Sequence, residues 1–138
     1  MIRHILVGYD GSEPAAKAFD YGLELALKYE AQLRVLAVAR PPEFGDDVEL
    51  EAELESAEEH FRAQFKEMQQ RAAARRLAAR FEIVVGHPAE CIVKFAEKNH
   101  IALIALGSRG RNRFQRWVLG SVSQRVTAYA HCPVTVVR

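Results

Sequence analysis

Apolar residues fall along the chain in two kinds of pattern, short continuous runs and longer segments with helical spacing. The runs are rich in Val, Ile and Leu and predict buried strands at residues 2–9, 33–38, 81–85, 101–106 and 132–137. Helical spacing follows Ser12, spans residues 54–72, and resumes after Pro88 and after Gly120. Strands that are apolar on both faces belong in a parallel sheet covered by helices on both sides. The βαβαβαβαβ order therefore predicts a five-stranded, doubly wound α/β fold.

Length and composition are those of one globular domain. The chain has 138 residues, 49% hydrophobic and 27% charged, and compact domains centre on about 100 to 150 residues. We therefore expect a single domain over residues 1–138. The longest apolar run, 101–106, is far shorter than the roughly 20 residues that span a bilayer. With no signal-peptide pattern after Met1, we expect a cytoplasmic protein without a membrane partner.

Charge is distributed unevenly although the net charge is only +1. Residues 1–59 carry 14 acidic and 5 basic side chains, a net charge of −9, whereas residues 60–138 carry 4 and 14, a net charge of +10. Acids at 46–59 and arginines at 71–80 suit the two ends of one long helix. Four further arginines crowd residues 109–116. They could clamp phosphate, face solvent or touch a partner, and we expect no nucleic-acid partner.

The two cysteines give no sign of a disulfide or metal framework. Cys91 and Cys132 lie 41 residues apart without a C-x-x-C motif, so we expect two buried, unpaired thiols. The histidines form no H-x-x-x-H or H-E-x-x-H pattern, and the chain has no G-x-S-x-G, G-K-[ST] or G-x-G motif. P-loop, dinucleotide-fingerprint and serine-hydrolase functions are therefore excluded.

Glycines after the fourth predicted strand give the strongest chemical signal. They form the pattern Gly107-x2-Gly110-x9-Gly120-Ser121. Glycines here let the chain turn sharply and bring N–H groups near an anion, while Gly120 and Ser121 open a helix whose first N–H groups are unpaired. Three unrelated loop-end glycines would look the same if the spacing were ignored. The spacing favours a phosphate-binding loop.

That glycine pattern resembles the ATP-binding signature of the universal stress protein family. Val122-Ser123 and Cys132-Pro133-Val134 follow it as they do in the family, and the likeness extends to Asp10-Gly11-Ser12 and Gly86-His87-Pro88. It covers nearly the whole chain. One departure is Ala102, which stands where the family commonly has an Asp at the entry to the fourth strand. The resemblance implies a Rossmann-like fold similar to adenine nucleotide alpha hydrolases, with strand order 3-2-1-4-5.

The resemblance also implies a ligand and its contacts. ATP, with Mg²⁺ or Mn²⁺ as a possible companion, would lie with its phosphates on the glycine segment and its adenosine end near the first two strand ends. The residues carried over, with Arg109 added as a possible phosphate clamp, are Gly8, Asp10, the main chain of Val38, Gly107, Arg109, Gly110, Gly120, Ser121 and Val122. Asp10 could instead bond its own backbone in an Asx-turn before Ser12.

The function expected from the resemblance is that of an ATP-binding stress-response regulator. The alternative is a slow ATPase that uses the same loop, although the sequence offers no evident general base or paired metal carboxylates. Many family members are homodimers that pair their final strands. We therefore expect a homodimer through Val134 to Val137, with an unidentified protein partner also possible.

Overall fold

In a computed structural model of the chain, one parallel sheet carries helices on both faces. The structure describes residues 1–41, 46–108 and 120–138. The elements are β1 (His4–Gly8), α1 (Glu13–Tyr29), β2 (Gln32–Ala39), α2 (Asp47–Ala74), β3 (Ala79–Val85), α3 (Pro88–Lys98), β4 (Leu103–Gly107), α4 (Ser121–Tyr129) and β5 (Val134–Val137). All the strand pairs among these are parallel, and the order is β3-β2-β1-β4-β5. This confirms the predicted fold and strand order.

Each face of the sheet has its own hydrophobic core. One face packs against α1 and α2, with Phe19 and Phe61 buried over Ile5 and Leu33. The other packs against α3 and α4 in a second cluster of buried residues: Leu6, Leu36, Ile92, Ala96, Ile101, Ile104, Leu106 and Val126. Burial on both faces is the reason why the strands are continuous apolar runs rather than alternating ones.

The helix boundaries follow identifiable capping chemistry. Ser12 caps α1, because its Oγ accepts from the Ala15 N–H at 3.2 Å. Three helices end on a residue other than glycine with positive φ, namely Glu30 (53°), Arg76 (63°) and His100 (54°). In each case the next N–H reaches back five residues, as Ile101 does to the Ala96 carbonyl at 2.9 Å. This motif explains why β4 begins at Leu103 and not at the predicted 101.

Helix α2 carries the charge asymmetry seen in the sequence. Its N-terminus is capped by Asp46, whose Oδ1 accepts from the Glu49 N–H at 2.9 Å. Toward its other end, Arg71 and Arg75 form ion pairs with Asp20 and Glu24 of α1. These arginines therefore tie the two helices of one face together as well as complementing the helix dipole. Among the described residues, no helix combines the length and apolarity needed to cross a membrane.

Candidate functional site

The order of the strands places a crevice between the carboxyl ends of β1 and β4. From β1 the chain continues into α1 on one face, while from β4 it continues toward α4 on the other. In open α/β sheets ligands bind where neighbouring strands send the chain in opposite directions like this. The predicted site residues that the structure describes all lie at this edge.

Asp10 lies at the carboxyl edge directly beyond β1, in a tight turn. Its Oδ1 accepts a hydrogen bond from the Ser12 N–H at 2.9 Å, and Gly11 between them has φ of 85°, a conformation that glycine adopts without strain. The Asx-turn considered for Asp10 is therefore formed. Asp10 is also exposed, so this bond holds an accessible carboxylate in a fixed direction beside the crevice.

Val38 directs its main chain toward the space above β1. The Tyr9 N–H donates to the Leu36 carbonyl at 2.9 Å, so Leu36 faces β1, and Val38, two residues on, faces the same way. The β1–β2 ladder ends at the Gly8–Leu36 pair. The main-chain N–H and C=O groups of Val38 thus point into the space beyond the end of β1, where the chain has already turned toward α1.

Both described ends of the glycine segment are held together by hydrogen bonds. The Gly120 N–H donates to the Ser108 carbonyl at 2.7 Å, and the Ser108 N–H donates to the Val137 carbonyl at 2.7 Å. The Ser123 hydroxyl donates to the Gly107 carbonyl, also at 2.7 Å. These bonds bring the end of β4, the start of α4 and the end of β5 together at the carboxyl edge.

Gly120 is the N-cap residue of helix α4, with φ of −57° and ψ of 150°, and as a glycine it has no side chain to accept from the first N–H groups. Ser121 is exposed and Val122 is half-buried. The first N–H groups of a helix lack intrahelical acceptors and sit at the positive end of its dipole. The start of α4 therefore offers hydrogen-bond donors that suit an anion.

Gly107 is needed for packing against α1, and Gly8 is closely surrounded by side chains; neither role was predicted from the sequence. A β-carbon on Gly107 would lie 2.8 Å from backbone atoms of Pro14 and Ala15, and one on Gly8 would lie 2.5 Å from Leu106 Cδ2. Among the described glycines only Gly11 has positive φ. The expectation that Gly107 makes a sharp turn is therefore wrong: Gly107 ends β4 as a strand residue and lets α1 approach closely.

The two cysteines lie at opposite ends of the parallel strands, Cys91 after the end of β3 and Cys132 before the start of β5. Both are free and half-buried, so the expectation of unpaired thiols is confirmed and the expectation of buried ones is wrong. Burial raises the pKa of both thiols, and Glu90 adds to the effect at Cys91. Within residues 1–41, 46–108 and 120–138, no group of three or more His, Cys, Asp or Glu side chains could hold a metal ion.

Comparison with known proteins identifies the family. The model of the universal stress protein family matches residues 1–138. The chain belongs to the universal stress protein family. It is 31% identical over 153 aligned residues to universal stress protein YxiE of Bacillus subtilis, and the match covers both chains completely. The solved structure of universal stress protein UspA from Lactobacillus plantarum superposes with a TM-score of 0.88 at 29% identity, covering 99% of this chain and 97% of that one.

Two other universal stress proteins with this fold have been solved with adenine nucleotides. One is a complex with cAMP, at a TM-score of 0.75 and 24% identity over 99% of this chain and 97% of that one. The other, from Archaeoglobus fulgidus, is a complex with dAMP, at a TM-score of 0.66 and 18% identity over 100% of this chain and 98% of that one. At these identities the likeness establishes the shared Rossmann-like fold.

Part of the predicted site of this universal stress protein falls outside the described residues. Arg109 and Gly110 do so, together with the arginines at 111, 113 and 116. The described remainder lies at the carboxyl ends of β1, β2 and β4 and at the start of α4. Sequence analysis gave no role to Ser123, although a serine in the first turn of a helix that follows a glycine segment is a detectable signal.

Proposed function

We propose that this universal stress protein binds ATP in the β1–β4 crevice and acts, as one domain, as a nucleotide-dependent regulator. The observation that carries the proposal is the joining of the two described ends of the glycine segment by the Gly120–Ser108 hydrogen bond of 2.7 Å. This bond sets the start of α4 directly against the end of β4. A phosphate group placed there would meet N–H donors and the positive end of the helix dipole together.

The adenosine end of the ligand fits the other half of the crevice. The main chain of Val38 faces the space above β1 and offers one donor and one acceptor for an adenine edge. The Asp10 carboxylate, held by Ser12, can accept from ribose hydroxyls. The cAMP and dAMP complexes of fold relatives support an adenine nucleotide as the ligand class.

Mg²⁺ or Mn²⁺ enters the proposal only as a companion of the phosphates. Hard divalent cations take oxygen ligands, and the exposed Asp10 carboxylate could approach such an ion. A metal bound by the protein alone would need more oxygen ligands than Asp10 provides. We therefore expect free Mg²⁺ to bind weakly and Mg²⁺ with ATP to bind as a unit.

Assembly is the second part of the proposal. β5 is the last strand in the sheet order, next to β4 alone. The carbonyls of Pro133 and Val137 accept from β4, so Val134 and Val136, of the other parity, turn their N–H and C=O groups to the open edge. Such an edge can pair with the same strand of a second copy around a two-fold axis. The homodimer expected through Val134 to Val137 thus has backbone groups available for it.

Equilibrium dialysis with ATP tests the binding site. Gly120→Val puts a branched side chain where phosphate would approach, at φ of −57° and ψ of 150°, which any residue adopts without strain. We expect this variant to keep the fold and lose ATP binding. Ala128→Val, on the exposed far end of α4, is the matched control and should bind as wild type does. Equal ATP affinity in wild type and Gly120→Val would contradict the proposed site.

The same samples, left overnight and assayed for ADP, test the slow-ATPase alternative. Hydrolysis above the rate of ATP alone in buffer would make the protein an enzyme. Intact ATP would leave it a binding protein.

A further inference from the structure

Ser123 is unusual among the polar residues of the described chain. Its side chain is 4% exposed, and no other Ser, Thr, Asn, Gln, His or charged residue within residues 1–41, 46–108 and 120–138 is buried. It is the third residue of α4, in the turn that holds the proposed phosphate donors. Burying a hydroxyl costs free energy unless the hydroxyl is hydrogen-bonded. The bond that Ser123 makes is therefore the reason for its position.

That bond crosses from α4 to β4. A serine or threonine inside a helix ordinarily donates to a carbonyl one turn earlier in the same helix, as Thr127 does to the Ser123 carbonyl at 2.7 Å. Ser123 donates instead to the Gly107 carbonyl at 2.7 Å. Its hydroxyl thus fixes the first turn of α4 to the strand before the glycine segment.

The carbonyl of Gly107 is not used in the pairing of β4 with its neighbouring strands. The N–H groups of Ile104 and Ser108 donate to β5, so Gly107, of the opposite parity, faces β1. The β1–β4 ladder ends at the Val7–Ala105 pair, two residues before Gly107. Ser123 supplies the hydrogen-bond donor that β1, having turned away into α1, does not provide.

We propose that Ser123 is a positioning residue for the phosphate site. This inference rests on the proposed function. The Ser123–Gly107 and Gly120–Ser108 bonds together set the distance between the start of α4 and the end of β4. A polyphosphate that contacts both sides depends on that distance, whereas an adenosine moiety at Asp10 and Val38 does not.

The test compares ATP with adenosine in Ser123→Ala. The variant leaves the Gly107 carbonyl without its donor, so we expect the Kd for ATP to rise on the order of tenfold, the usual effect of removing a group that orients direct ligand contacts. The Kd for adenosine should stay within about twofold of wild type. Thr127→Ala removes a neighbouring hydroxyl from the same helix and is the control, with both affinities expected unchanged.

Two further measurements test whether the Ser123–Gly107 hydrogen bond itself is responsible for the effect. Ser123→Cys preserves the shape with a weaker donor and should bind ATP with an affinity between those of Ser123→Ala and wild type. Without ligand, amide hydrogen exchange at Gly120 should be faster in Ser123→Ala than in Thr127→Ala, because one of the hydrogen bonds that connect α4 to β4 is lost.

The outcomes separate this inference from the proposed function. Unchanged ATP affinity in folded Ser123→Ala, or an equal loss for ATP and adenosine, would overturn the positioning role alone. If the wild-type chain bound no ATP, the proposed function and this inference would fall together.

Discussion

Replacing Gly107 by alanine tests whether this glycine serves packing as well as ligand binding. The new β-carbon would lie 2.8 Å from Ala15 N, Pro14 C and Pro14 Cβ. Real β-carbons essentially never approach other heavy atoms so closely, and two of these three atoms belong to the backbone. The first turn of α1 would therefore have to move away from β4.

The structure supports an estimate of the cost. Overpacking of a well-packed interior typically destabilises a protein by about 1 to 3 kcal/mol, and a displaced backbone puts Gly107→Ala near the upper end, at about 3 kcal/mol. For a chain of this length 1 kcal/mol shifts Tm by about 3 to 5 °C. We therefore expect Tm to fall by about 10 °C and the urea midpoint to fall without a change in m-value.

The matched control is Gly86→Ala. Among the described residues its β-carbon would meet only Cys91 Sγ, at 2.5 Å, and the end of a side chain can rotate away. This variant should lose less than half as much stability as Gly107→Ala, measured by thermal and urea unfolding followed by circular dichroism. If Gly107→Ala were as stable as wild type, the packing argument would be refuted and the ligand would be the only reason for this glycine.

Two other results follow from the edge strand and the thiols. Val136→Pro removes an N–H that faces the open edge, where proline is tolerated. Light scattering should therefore show the wild type as a dimer and the variant as a folded monomer of about half the mass. A wild-type mass of 15.5 kDa would disprove pairing through β5. Thr135→Pro, which breaks the ladder to β4, should instead lower stability. Burial raises the pKa of the Cys91 and Cys132 thiols, so iodoacetamide, which reacts with the thiolate, should label them slowly at pH 7. Labelling should become faster as the pH rises or when urea unfolds the protein. Equal labelling rates in native and unfolded protein would contradict this.

The sequence contained most of the fold because burial on two faces leaves a strong pattern. The five apolar runs were recognisable as strands, and Ser12 and Pro88 marked helix starts through chemistry that acts locally. The ends of three helices were harder to predict. Glu30, Arg76 and His100 adopt the left-handed conformation usually given to glycine, and only the packed chain around them makes that conformation favourable.

The candidate site was predicted in the same uneven way. The spacing of Gly107 and Gly120 predicted a phosphate-binding segment, because loops that bind anions favour glycine where the backbone must come close to the ligand. The packing roles of Gly8 and Gly107 were not predictable, because the atoms that exclude a β-carbon come from Leu106 and from α1. The partner of Ser123 was not predictable for a similar reason, because its acceptor, the Gly107 carbonyl, lies 16 residues earlier in the chain.

The pairing of β1 with β4 also determines when the crevice can exist. Ile5 pairs with Leu103, so most of the length of the chain separates the two strands that frame the site. Contacts of such long sequence separation require the intervening chain to close into a loop, which costs entropy and slows folding. A nascent or truncated chain without β4 would have β1 and its Asp10 turn but no pocket. Nucleotide would then bind only the finished molecule and, by mass action, favour it over partly folded forms.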